Sequence, residues 1–586
     1  MLVLEGEPLD IPEERPIALL ERAVACGGGY KIPDGDDFRF MPWSDVLELV
    51  QRVAGGLVAA GFGPGTKVAI FSETRYEWKI VDQAVQWMGG VVVPMYPTLM
   101  HDQVAHIMAD SGAEVGFVEN QELLGRVPEG TWYSFDDSDA PSWQELHGDP
   151  VPKADVGLDE PCSIVYTSGT TGAPKGAVLT HRNWTASNAG NVRGLALDEH
   201  PEATMLAFLP MAHVAGYASV LAVTALGGTV AFSHPSRIAT DFPLVRPDLL
   251  VAVPRIYERI MTKVEERVAG GPKIRQFLFA RAKSVAIKTG ARLEQGRRPA
   301  FGHWLFERLV YRKLRVTLGF DRVEVALTGA AAVRPSLLYF FQGIGVNIVE
   351  AYGLTECAGL LVSNGFDDFR AGTVGKVMPG SRLALAEDGE ILLAGPTIFQ
   401  GYLTGETDCL VDGWLRTGDI GELRDGFLAI IDRKKEIEVL DTGKNIAPTH
   451  AEELLKASPL VDEVCVIGQG RKFAAALIQP NFGLLRSKLE ALGATLNGRV
   501  QADPTGAETL VEVDEAGLED SRIKAWIQEA VDRMNERLPD YERIRSFRLV
   551  PTAFTVERDE LTPTFKKKRR NILANHKARI EAMFQR

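Results

Sequence analysis

Between residues 44 and 119 the chain alternates two kinds of stretch: SDVLELVQRVAGGLVAAG, KVAIFS, EWKIVDQAVQWMGG, VVVPMYP, HDQVAHIMADSG and EVGFVE. The first, third and fifth space their apolar residues three and four apart, the period of a helix with one buried face. The others are short apolar runs closed by turn formers, with Pro94 and Pro97 ending one strand and Gly89-Gly90 capping one helix. This β, α, β rhythm predicts an α/β fold with mostly parallel sheets covered by helices. At 586 residues and 45% hydrophobic content the chain is expected to form two or more domains of ordinary globular composition.

Charge and cysteine usage narrow the chemistry. A net charge of −14 argues against nucleic acid as the main partner, and an anionic substrate would require basic residues gathered at its site. The five cysteines are scattered without C-x-x-C spacing, so neither a disulfide framework nor a zinc site is expected, and a reducing, cytoplasmic setting is. Glu5, Glu7, Asp10, Glu13 and Glu14 precede any apolar run, the reverse of a signal peptide. Residues 203–233 hold no charged side chain, but Pro210, His213, Gly216 and Gly227-Gly228 divide them into a strand, a turn, a buried helix and a second strand. Residues 129–159, rich in Asp, Pro, Ser and Gly, read as a surface connection.

That connection leads into IVYTSGTTGAPKGAVLTH, residues 164–181. Apolar runs frame a loop of hydroxyls and glycines, so strand, loop, strand is expected. Glycines at 169, 172 and 176 let backbone N–H groups converge on one point, and Lys175 adds positive charge, which suits a polyphosphate. Lys175 is followed by glycine rather than Ser or Thr, so this is not a Walker A loop. Its bland alternative is a glycine-rich surface hairpin.

The ordered string YTSGTTG followed by PKG resembles the phosphate-binding signature of the AMP-forming ligase superfamily, which includes acyl-CoA synthetases, luciferases and peptide-synthetase adenylation domains. The resemblance extends from about residue 38 to the end. It implies that Thr167, Ser168, Gly169, Thr170, Thr171, Gly172 and Lys175 hold the pyrophosphate portion of ATP. In LTGAAAVRPSLLYFFQGIGVNIVEAYGLTE, small residues at a strand's carboxyl end admit a flat ligand. There the resemblance implies that Gly329 and Ala330 flank adenine, Tyr352 stacks on it beside Gly353, Thr355 contacts the α-phosphate, and Glu356 with Thr167 holds Mg²⁺.

Asp419, closing DGWLRTGD at the expected end of a strand, matches the family's ribose-binding carboxylate. Alone it reads as a turn-forming Asp. The run DRKKE resembles the family's hinge, with Asp432 and Lys435 at the flexing point and Arg433 reaching the ribose. Pro210 and His213 fit a P-x-x-H element lining the acyl and pyrophosphate sites, so His213 joins the catalytic set without acid–base work. Gly443 and Lys444 fit CoA contacts, although Glu438 and Asp441 depart from the neutral residues more usual there. VPRIYERI and the basic helical stretch after it resemble the long-chain fatty acyl-CoA synthetase branch, while Arg255, Tyr257, Glu258 and Arg259 individually read as an exposed helix. LTPTFKKKRR places Lys566 at the catalytic lysine, with Lys567 and Lys568 as neighbouring registers.

The implied architecture is a large N-terminal ATP- and fatty-acid-binding domain (1–431), a hinge (432–436) and a small mobile α+β lid (437–586). The implied activity is a ligase using Mg²⁺ and ATP to activate a long-chain fatty acid and pass it to CoA, with Lys566, Lys175 and His213 in the catalytic set. A free-standing acyl-AMP ligase serving a carrier protein and a silent nucleotide- or lipid-binding relative are the competing readings. Peripheral contact of the basic 246–322 stretch with an anionic membrane, and a homodimer, stay open.

Overall fold

In the computed structural model, which describes residues 2–167, 174–331, 333–502, 508–556, 558–562 and 567–585, the expected alternation closes into two large sheets. One runs Thr131–Ser134, Val115–Val118, Lys67–Phe71, Val91–Met95, Pro161–Thr167 and Lys175–Thr180, parallel throughout except for the last pair. The other has nine strands. Its central run, Ile348–Leu354, Val325–Thr328, Leu249–Ala252, Thr204–Ala207, Thr229–Phe232 and Gly29–Asp34, is parallel, and its rims are antiparallel.

Helix Tyr76–Trp87 shows how these sheets share a core, because it is buried on every face, Lys79, Asp82, Gln83 and Gln86 included. A charge pair in such surroundings persists only when its hydrogen bonds are made. Lys79 meets Asp82 at 2.6 Å and lies 4.1 Å from the centre of the Tyr217 ring, while Gln86 donates to Asp82 at 3.0 Å and to the Tyr217 hydroxyl at 2.7 Å.

The third sheet differs from the parallel expectation. Arg382–Leu385, Glu390–Ala394 and Trp414–Arg424 are antiparallel, flanked by Val3–Glu5, Leu410–Val411 and Phe427–Arg433. Two Asp-Gly pairs explain it. Asp412-Gly413 and Asp425-Gly426 all have positive φ, the signature of two-residue type I′ hairpins. Residues 129–159 also depart from a plain surface connection: Thr131–Ser134 forms the sheet edge, and Trp132 and Trp143 are buried. Two indole rings supply enough apolar area to hold that segment down.

Beyond residue 440 the hydrophobic core starts afresh. Strands Val461–Ile467, Ala474–Pro480 and Ile544–Leu549 carry helices Pro448–Lys456, Phe482–Glu490 and Ser521–Asn535, and their apolar clusters draw on residues from Leu440 onward, whereas the clusters of the large sheets end at Leu428.

Candidate active site

Strands Pro161–Thr167 and Lys175–Thr180 bring the two ends of the glycine-rich loop together, with Thr167 opposite Lys175. Residues 168–173 lie outside the described residues, so Ser168, Gly169, Thr170, Thr171 and Gly172 receive no structural account. The loop's exit is well fixed. A Cβ at Gly176 would fall 2.7 Å from the Ile164 side chain and 3.0 Å from the Tyr166 ring, so glycine is required where that ring crosses. Tyr166 in turn donates to Asp110 at 2.6 Å.

Lys175 forms an ion pair with Glu406 and lies 5.5 Å from the centre of the Tyr402 ring. Tyr402 donates its hydroxyl to Glu356 at 2.6 Å. Burial first, and then the neighbouring Glu356 carboxylate, raise the Tyr402 pKa, so the phenol keeps its proton as a donor. Backbone bonds complete the frame: Phe399 N–H donates to Glu356 O at 2.9 Å and Leu403 N–H to Gly176 O at 2.8 Å. Segment 399–406 therefore joins the loop's exit to the strand that leads into Thr355 and Glu356.

That strand, Ile348–Leu354, carries Tyr352 and Gly353 to the carboxyl edge of the nine-stranded sheet. A Cβ on Gly353 would sit 1.6 Å from Gly359 O across a bulge, so only glycine allows the neighbouring strand this close. Gly329 and Ala330 follow the adjacent parallel strand. Ala330 has φ of +68°, a left-handed conformation that costs on the order of 1 kcal/mol for a residue with a Cβ.

Tyr352 donates to Asp419 at 2.6 Å, and Arg433 Nε stands 3.4 Å from the other oxygen of that carboxylate. Burial foremost, with Asp419 beside it, raises the Tyr352 pKa and holds the phenol protonated. Asp419 is itself buried and lies within strand Trp414–Arg424, not at its end, paired with Arg433 across the ladder. Strand ends are thus not where the whole site is built.

His213 caps helix Val214–Ala225, and its Nδ1 accepts the Ala215 N–H at 3.1 Å. The loop before it is pinned by Thr74, which donates to Leu209 O at 2.6 Å and accepts from Met211 N–H at 3.2 Å. The His213 helix packs on Gly359–Ser363, the strand after Glu356. Tyr257 corrects the exposed-helix expectation: it is fully buried and donates to Leu327 O at 3.0 Å, while Glu258 faces Arg334 at 3.3 Å. A phenol held by the strand leading to Gly329 fixes that strand's end.

Asp432, at the expected hinge, is buried and accepts both the N–H (3.0 Å) and the hydroxyl (2.8 Å) of Thr449. Lys434 is tied to Asp388 at 2.5 Å and Glu390 at 2.9 Å, whereas Lys435 is exposed in the turn that follows. Glu438, which departs from the family pattern, is buried and accepts the backbone N–H groups of Gly468 and Gln469, so its carboxylate fastens the Glu438–Val439 and Asn445–Ile446 hairpin. Gly443, at φ +76°, and Lys444 sit exposed at the tip of that hairpin.

Lys566 lies outside the described residues. Its neighbours are committed elsewhere: Lys567 pairs with buried Glu452 and donates to Val464 O at 2.6 Å, and Lys568 pairs with Asp559. Tyr402, Glu406 and Thr74 are the site residues the sequence reading missed. A lone tyrosine in FQGYLTGE has no spacing that sets it apart.

The family model for AMP-binding enzymes matches residues 21–403, and that for the AMP-binding enzyme C-terminal domain matches residues 435–503. The chain belongs to the AMP-binding enzyme family. Within it, this chain is 35% identical to a long-chain-fatty-acid–CoA ligase of Mycobacterium bovis over 92% of each chain, and 29% identical to the long chain acyl-CoA synthetase 4 of Arabidopsis thaliana over 95% of this chain and 89% of that one. Among solved structures of similar fold are the A domain of carboxylic acid reductase from Segniliparus rugosus (21% identity, TM-score 0.72, 97% and 94% of the two chains) and O-succinylbenzoate coenzyme A synthetase from Bacillus subtilis (18% identity, TM-score 0.67, 95% and 98%).

Proposed function

We propose that this member of the AMP-binding enzyme family is an ATP-dependent ligase that activates a long-chain fatty acid as its acyl-adenylate and transfers the acyl group to CoA. The observation that carries the reading is a pair of side-chain clusters, Lys175–Glu406 with Tyr402–Glu356 and Tyr352–Asp419–Arg433, which draw on separate sequence regions and share the segment from Tyr352 to Glu356. A polyphosphate, a ribose and a base would each find their chemistry along them. The relatives named as long-chain-fatty-acid–CoA ligases support the acid and acceptor classes.

A carboxylate is a poor electrophile, so thioester formation needs a leaving group. The fatty carboxylate oxygen attacks the α-phosphorus of ATP, the new O–P bond forms as the bond to pyrophosphate breaks, and the CoA thiol then attacks the acyl carbon with AMP leaving. Neither step needs a protein nucleophile. Positioning and charge stabilisation carry both. In this reading Thr167 and Lys175, with the 168–172 loop, hold the pyrophosphate portion, and Lys175 exchanges Glu406 for phosphate when nucleotide arrives. Thr355 contacts the α-phosphate, while Gly329, Ala330, Tyr352 and Gly353 receive adenine. Asp419 and Arg433 take the ribose, His213 lines the pocket, and Lys566 faces the charge gathering between carboxylate and phosphate.

The Glu356 carboxylate, oriented by Tyr402, and the Thr167 hydroxyl are hard oxygen donors and fit Mg²⁺, an ion that keeps several waters and shares substrate phosphates. Bound there, Mg²⁺ supplies charge neutralisation at the phosphates.

The division into 1–431, a 432–436 hinge and 437–586 belongs to the same proposal. Its support is that Lys434 is anchored to Asp388 and Glu390 while Lys435 is exposed immediately after, and that separate apolar cores lie on either side. Rotation about Lys435 would remove Lys566 and bring Gly443 and Lys444 toward CoA. Fatty-acid-dependent ATP–pyrophosphate exchange tests adenylation itself. Exchange with long-chain acids is expected, and none with any acid from C2 to C20 would refute it.

A further inference from the structure

Residues 273–318 carry 12 Lys and Arg against two acidic residues, Glu294 and Glu307, in a chain whose net charge is −14. The same 46 residues supply nine of the 23 exposed large hydrophobic side chains among the described residues. Phe301 is fully exposed, and Ile274, Trp304 and Phe277 are 79%, 72% and 63% exposed. An apolar cluster so enriched calls for a covering partner.

Helix geometry gathers Ile274 and Phe277 along one side of their helix. Helix Lys273–Leu293 packs on Pro335–Gly343 and buries Phe279, Ala282, Ala286 and Gly290, so Ile274, Phe277, Leu278 and Arg281, spaced i, i+3, i+4 and i+7, form an outward stripe. The helical run His303–Phe306, Glu307–Tyr311 and Arg312–Leu318 lies beside it. Ala300 N–H donates to Thr289 Oγ1 at 3.2 Å and Tyr311 donates to Ala282 O at 2.7 Å, so the two run antiparallel. This second run exposes Trp304, Leu305, Leu309 and Val316 among the exposed cations Arg297, Arg298, Arg308, Arg312 and Lys313.

We propose that this face docks on an anionic lipid bilayer, its aromatic and aliphatic side chains entering the interface and its cations meeting lipid headgroups. Charge complementarity decides the occupant. A second copy would oppose the same basic face to itself, whereas an anionic bilayer offers both the negative field and the apolar layer that Trp and Phe prefer. No helix among the described residues is long and apolar enough to cross a membrane, so the contact is interfacial. A lipid-soluble substrate gives the docking a purpose, and that part alone rests on the activity proposed above.

Flotation of the full chain with phosphatidylcholine vesicles, with or without 30% phosphatidylglycerol, tests this without ATP or acid, so its outcome is independent of the ligase reading. Binding to the anionic vesicles is expected, falling about tenfold or more at 500 mM salt, in Arg297→Glu/Arg298→Glu and in Phe301→Ser/Trp304→Ser. Because these side chains are exposed, circular dichroism and melting temperature should match the parent. Equal binding by parent and variants, or no binding at low salt, would overturn the assignment. So would a solution dimer abolished by Phe301→Ser/Trp304→Ser in a chain that ignores vesicles, an outcome that gives the face to a second copy.

Discussion

Tyr352 and Asp419, 67 residues apart in sequence, share a 2.6 Å hydrogen bond inside the candidate nucleotide site, and Arg433 approaches the same carboxylate from the end of strand Phe427–Arg433. The proposed ribose reader is thus oriented by the proposed adenine platform. Tyr352→Phe keeps the ring and removes one hydrogen bond to a charged group, so KM for ATP should rise about three- to tenfold with kcat within about twofold. Asp419→Ala should cost more than about a hundredfold in kcat/KM. Steady-state kinetics decide this, and a collapse of kcat in Tyr352→Phe at unchanged KM would remove Tyr352 from nucleotide binding.

Tyr402 gives the second prediction. If its hydroxyl orients Glu356 for the metal, Tyr402→Phe should raise the Mg²⁺ concentration for half-maximal activity about three- to tenfold and recover most of kcat at saturating Mg²⁺. A Mg²⁺ titration at fixed ATP measures it. An unchanged Mg²⁺ curve would leave Tyr402 a packing residue only.

The pairing of Lys567 with buried Glu452 separates two lysines that adjoin in sequence. Lys566→Ala should lower adenylation about 10² to 10³-fold without changing the melting temperature. Lys567→Ala should instead destabilise the C-terminal unit, because it leaves Glu452 short of a partner in the interior. If Lys567→Ala lost adenylation as severely at unchanged stability, the catalytic register would move by one.

Acid sensitivity follows from the same carboxylate. Burial alone would lift the Glu452 pKa, but Arg569 and Lys567 outweigh it and hold the group at about 2, against an ordinary 4.5. A depressed folded-state pKa contributes stability that is complete above about pH 4.5 and is lost as pH falls toward 2, here about 3 kcal/mol in all. Hydrogen-exchange protection of strand Val461–Ile467 should therefore weaken below about pH 4.5 in the parent. It should be lower and flatter with pH in Glu452→Gln. A parent insensitive to acid over that range would contradict the pairing.

The large sheets were legible because their strands and helices repeat with the periods that burial imposes, and the loop ends at Thr167 and Lys175 meet as the flanking β runs require. Other features depend on contacts that no spacing encodes. Tyr257 read as exposed because its helix is rich in charge, yet its ring fills the space against Phe341 and its hydroxyl reaches Leu327 O. Glu438 departs from the family pattern in sequence, and only the fold brings the backbone N–H groups of Gly468 and Gln469 to its carboxylate. The Asp-Gly pairs at 412 and 425 were visible signals for hairpins, and they account for an antiparallel third sheet that a parallel reading passes over.

The most direct test of the ligase is AMP formation by the purified chain with Mg-ATP and an acid series from C2 to C20, with and without CoA. Rapid AMP release that requires both a long-chain acid and CoA is predicted. Acid-dependent pyrophosphate exchange that CoA does not drain would contradict CoA as acceptor, and absence of both AMP and exchange would leave a nucleotide- or lipid-binding relative without the activity.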